Sequence, residues 1–135
     1  MDKGFFEFKA QLSTYFQDIE PFLLKKIESW QERKQFNIKL CLEEAVTNAI
    51  DWGSENSDSS VIIRYKLKNN IFVFSVKDYG KGFNPDEVPD CTLDERLNLP
   101  YGRGIFLMKA CSDKLFYNKK GNIITMVFYK DWKSK

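Results

Sequence analysis

VIIRYKLKNNIFVFSVKD, residues 61 to 78, is the stretch from which the architecture can be built outward. Two runs rich in β-branched and aromatic residues flank Lys68-Asn69-Asn70, and asparagine tolerates the backbone of a tight hairpin turn. The stretch therefore predicts an antiparallel pair at the centre of a sheet. Further along, LFYN and NIITMVFY around KKGN predict a second hairpin, and at the start GFFEFKAQL, alternating in part and rich in aromatics, predicts a first strand.

Helices fill the intervals. Ser13-Thr14 and Pro21 introduce one through about Arg33, with Phe22, Leu23, Ile27 and Trp30 as its buried stripe. Asn37 suits the N-cap of a second helix running to about Trp52, and GSENSDSS from Gly53 to Ser60 is a polar loop. Gly80 to Tyr101 is irregular and holds Pro85, Pro89 and Pro100, and a loop of that length inside a domain tends to be a functional lid. GRGIFLMKACSDK then opens a helix directly from its glycines. The order β, α, α, β, β, lid, α, β, β predicts an α+β two-layer sandwich with helices on one face of a mostly antiparallel sheet. No repeat or linker divides the chain, so residues 1–135 are expected to form a single domain.

Composition narrows the chemistry. The chain is 43% hydrophobic and 30% charged, as in an ordinary soluble domain, and its net charge of +2 is too small to argue for nucleic acid. The basic residues near the C-terminus, Lys119-Lys120 and Lys130 to Lys135, read as a solvated terminus. Neither a membrane-length apolar run nor a signal peptide is visible, and a cytoplasmic location is expected. Cys41, Cys91 and Cys111 are odd in number and far apart, which suits reduced thiols, with Cys41 and Cys111 in the core. Histidine is absent, which removes Ser-His-Asp and Cys-His hydrolase schemes, the usual zinc sites and self-phosphorylation on histidine.

Three short stretches carry the remaining chemistry. On a helical wheel Glu44, Thr47, Asn48 and Asp51 share one side, while Leu42, Ala45, Val46, Ala49 and Ile50 take the other. Glu44 and Asn48 stand four apart, so their heads converge, as needed if one ligates a hard cation and the other orients a nucleophile. Alone, such a face is also an ordinary solvated one. Asp78 closes a strand, and Gly80 and Gly82 beyond it allow backbone to approach a flat ligand; an ordinary turn would look the same. Gly102 and Gly104 at a helix start bare N–H groups for an anion, with Arg103 available for a phosphate oxygen, although loop-to-helix packing also uses glycine.

In their order, EEAVTNAI, DYGKGF and GRGIFLMK resemble the N box, the DxGxG box and the glycine box of the GHKL ATPase superfamily. Within it the chain is most similar to the anti-sigma factor serine kinases of bacterial partner-switching systems, over nearly its whole length. The resemblance implies ATP and Mg²⁺ as cofactors. It implies Asn48 as the Mg²⁺ ligand, Glu44 as general base, and Asp78 as acceptor of the adenine amino group, with Gly80 and Gly82 against the base. Gly102, Arg103 and Gly104 would hold the β- and γ-phosphates beneath a lid from Asn84 to Tyr101, where Arg96 either reaches phosphate or faces solvent. The implied partners are a sigma factor, which the kinase holds from RNA polymerase, and a STAS-type anti-anti-sigma protein phosphorylated on serine. Relatives often dimerise, and neither direct nucleic-acid contact nor a membrane is implied. Phe5, Phe6, Phe8 and Tyr15 could line a dimer face or pack in the core.

The chain departs from the family where many relatives carry histidine after NAI; here stand Asp51-Trp52, and Asp51 either tunes metal affinity or is solvated. Two other readings stay open: a GHKL module acting on a non-sigma partner, and a nucleotide-gated binding module without kinase activity. The catalytic domain of a histidine kinase is disfavoured, because the chain has no phosphoacceptor histidine and no dimerising helical hairpin.

Overall fold

The computed structural model describes residues 1–53, 59–79 and 100–131, without the side chains of 52 and 100–103. Strands β1 (Asp2–Lys9), β2 (Ser60–Lys68), β3 (Ile71–Asp78), β4 (Lys114–Tyr117) and β5 (Ile123–Tyr129) form one sheet in the order β1-β2-β3-β5-β4. Every neighbouring pair is antiparallel. The central hairpin turns on Asn69 and Asn70 with φ of 53° and 64°, the double left-handed geometry that matches strand twist. The second hairpin uses Gly121 at φ 78° for the same reason.

Strand periodicity sends Phe72, Phe74 and Val76 of β3 and Ile124, Met126 and Phe128 of β5 to the helix side, where all are buried. Phe74 stacks on Phe128 with ring centroids 5.9 Å apart. The helices α1 (Leu12–Thr14), α2 (Glu20–Lys25), α3 (Glu32–Asn48) and α4 (Pro100–Cys111) are the second layer. Leu23, Ile27, Ile38 and Leu42 join them to the sheet in one hydrophobic cluster. The α+β sandwich expected from the sequence is the fold observed.

Several boundaries differ from expectation. The first strand begins at Asp2 rather than Gly4 and ends at Lys9. Between α1 and α2 the chain makes a π turn, Tyr15–Ile19, in which the Glu20 N–H donates to the carbonyl of Tyr15. Pro21 explains it: with no N–H of its own it cannot continue the ladder one turn back, and the helix widens just before it. α2 stops at Lys25 instead of continuing to Arg33, and Asn37 is an interior residue of α3 rather than its cap. The reason lies in Gln35, whose amide donates to the carbonyls of Trp30 (2.6 Å) and Glu28 (3.1 Å) and so satisfies the turn that precedes Glu32. Phe22 is 43% exposed rather than buried. Its ring packs edge-on against Phe6 and Tyr65 at the rim, with the Lys26 ammonium 4.4 Å from its centroid.

α3 and α4 pack antiparallel. Cys41 Sγ lies 3.8 Å from the carbonyl of Met108, and at the far end Lys34 Nζ donates to Asp113 Oδ2 at 2.5 Å. Both members of that pair are buried, and the same Asp113 oxygen accepts the Tyr129 N–H at 2.8 Å. The ion pair thereby fixes α3 to the sheet just beyond α4. Cys41 is buried as expected and Cys111 partly so.

Candidate functional site

The polar side of α3 is not a solvated face. Leu42, Ala45, Val46 and Ala49 are buried as the wheel requires, whereas Glu44 and Asn48 are half-buried because α4 crosses them. Gly104 makes the crossing possible. A Cβ at position 104 would lie 2.8 Å from Glu44 Oε2, 3.1 Å from Asn48 Nδ2 and 3.7 Å from Asn48 Oδ1. Two stretches 60 residues apart in the chain therefore meet at one point, and the space a methyl group would take is kept for the heads of Glu44 and Asn48.

α4 begins at Pro100, two residues before Gly102, and not at the glycines themselves. Proline suits the first helical position because its φ is already helical and an N–H there has no partner to lose. The consequence is favourable to an anion. In a helix starting at Pro100, the N–H groups of Tyr101, Gly102 and Arg103 have no carbonyl one turn back, and the positive end of the helix dipole lies with them. The Arg103 side chain, Gly80, Gly82 and the expected lid up to residue 99, Arg96 included, lie outside the described residues.

Past Asn48 the helix widens into a second π turn, Ala49–Gly53. The wheel that placed Asp51 beside Glu44 assumed 3.6 residues per turn, and that period ends at Asn48; Asp51 is exposed. This π turn touches β3, the strand that ends on Asp78. Asp78 is half-buried on the helix side of the sheet, and its backbone is held twice: its N–H donates to the Asn122 carbonyl at 3.0 Å, and its carbonyl accepts from Asn122 Nδ2 at 3.1 Å.

Asn122 is in turn fixed by Asn118, whose amide donates to Asn122 Oδ1 at 2.6 Å and whose oxygen accepts the N–H groups of Asn122 and Ile123. Tyr117, next to Asn118, is a further neighbour of Asp78: burial, and then the Asp78 charge, push its phenol well above the ordinary tyrosine range. The sequence reading missed Asn118, Asn122 and Tyr117. The available signal was a pair of asparagines four apart bracketing a glycine turn.

Among the described residues no group of three or more Cys, Asp or Glu side chains could hold a metal ion. A metal here would rest on one or two side chains and on ligands brought by an anion, which is the habit of Mg²⁺ with phosphates. The half-buried carboxylate and amide, the glycine that keeps room for them and the N–H groups at the helix start fit such a pair.

No curated protein matches the chain. A family profile described as the histidine kinase-like ATPase domain matches residues 9–128. The match spans the meeting of α3 with α4 and the strand that ends on Asp78, and the chain belongs to the histidine kinase-like ATPase domain family of the GHKL superfamily.

Proposed function

We propose that the chain is an ATP-dependent anti-sigma factor serine kinase, which sequesters a sigma factor and phosphorylates a serine of a STAS-type anti-anti-sigma protein. The observation that supports it is the convergence of Glu44 and Asn48 on Gly104 at the start of α4. A base is needed to take the proton of an attacking hydroxyl, and Glu44 stands beside the N–H groups that would receive the phosphates. Bound Mg²⁺ would neutralise phosphate charge, and Asn48 is the residue that would hold it. Asp78 would accept from the adenine amino group, its backbone locked by Asn122. Gly80 and Gly82 would lie against the base, and Gly102 and Arg103 would bind phosphate with Gly104. The active form is read as a cytoplasmic homodimer.

Phosphate transfer from labelled ATP to a purified STAS-type protein tests the reading. Wild type should label one serine, and Glu44→Ala should bind ATP but transfer about 10²- to 10⁴-fold more slowly. Full activity in that variant would assign the base elsewhere. ATP binding by the wild type with no transfer to any serine would favour a nucleotide-gated binding module.

A further inference from the structure

The sheet has a second face, away from the helices, and its charge is one-sided. Lys3 on β1, Arg64, Lys66 and Lys68 on β2, Lys77 on β3 and Lys114 on β4 project from it, as the register and the alternation of burial require. Among the described residues none of them enters an ion pair, and among those residues Glu7 is the acid that shares the face. The net charge of +2 hides this concentration, because acids elsewhere in the chain offset it.

Exposed rings accompany the cations. Phe5 is 62% exposed, and the Arg64 guanidinium lies 5.4 Å from its centroid. Phe116 is 54% exposed, two residues from Lys114 on the same strand face. Tyr79 is 53% exposed with the Lys77 ammonium 4.9 Å from its ring. Two couples of an aromatic face and a cation, Phe5 with Arg64 and Tyr79 with Lys77, and the exposed Phe116 ring on the strand of Lys114 thus surround a centre of half-buried Val73, Ser75, Thr125 and Val127.

We propose that this open face binds single-stranded nucleic acid, bases against the rings of Phe5 and Phe116 and phosphates against Arg64, Lys66 and Lys114. Each couple complements what one nucleotide presents, a π-face and a negative charge. Like charge opposes a second copy of the face as occupant. A duplex is disfavoured because among the described residues no helix or ribbon projects from this face to enter a groove. Phe5 and Phe116 lie on opposite edges of the sheet, about 19 Å apart at four strand spacings, a span suited to a short run of nucleotides. The site is independent of the nucleotide site on the helix side.

Fluorescence anisotropy with a labelled twelve-nucleotide oligouridylate tests it. The wild type should bind with an affinity that falls as salt rises, by about 0.7 logarithmic units per tenfold salt for each phosphate contacted. Arg64→Glu with Lys66→Glu should weaken binding at least about tenfold and flatten the salt slope by one to two phosphate equivalents, with ATP binding unchanged. Phe5→Ala should weaken binding about tenfold while leaving the salt slope alone. Absence of binding, or variants that bind like wild type, would overturn the proposal. So would poly-L-glutamate competing as well as the oligonucleotide, which would assign the face to an acidic protein. Preferential binding to phosphatidylserine vesicles, lost in the same variants, would assign it to a membrane surface.

Discussion

Gly104 and Glu44 meet so closely that any side chain at position 104 would press on the carboxylate, with a Cβ 2.8 Å from Oε2. The far end of a glutamate can swing away, so Gly104→Ala should leave the fold intact and displace Glu44 instead. The thermal midpoint should move by no more than a few degrees, while phosphate transfer falls at least about tenfold. An unchanged transfer rate would mean that the contact does not position the base.

Glu20 predicts a pH dependence. It is buried against Glu43, and burial first, with the Glu43 carboxylate adding to it, pushes its pKa up to about 7; the Lys39 ammonium 3.8 Å away opposes the rise only in part. A carboxyl that holds its proton more tightly when folded makes the folded state lose stability as pH rises from about 4.5 to about 7. The loss is on the order of 3 kcal/mol and is complete above that window. Glu20→Gln cannot titrate. Its melting temperature should fall less than that of wild type between pH 5 and pH 8, by several degrees. Parallel curves for the two proteins would refute the assignment.

The Lys34–Asp113 pair joins residues 79 apart in sequence, with both side chains buried. Removing one partner strands the other charge, so Lys34→Met should destabilise the protein by about 3 to 5 kcal/mol in urea. Lys34→Met with Asp113→Asn should recover part of that loss. A double variant no more stable than the single would show that Asp113 matters only as acceptor for the Tyr129 N–H.

What the sequence made legible was local. Asn69-Asn70 between two β-rich runs announced the central hairpin, and each of the three motifs sits within a few residues of chain. The start of α3 was not legible, because Gln31 makes no side-chain cap bond and the turn is closed from inside the helix by Gln35. The π turn before Pro21 belongs to the same class: periodicity assumes one helical pitch and cannot report a change in it. Asn122 under Asp78, Lys34 on Asp113 and the basic outer face required the strand register, which brings together residues that no short window contains.

The proposed function rests on Glu44, Asn48 and Gly104 shaping a Mg²⁺-dependent adenine nucleotide site. Calorimetric titration of wild type and Asn48→Ala with ATP and with GTP, each with and without Mg²⁺, tests it most directly. Wild type should bind with micromolar affinity that favours ATP and strengthens with Mg²⁺, and Asn48→Ala should lose that Mg²⁺-dependent binding with the fold retained. Equal affinity for ATP and GTP, or an Asn48→Ala titration that matches wild type, would contradict it.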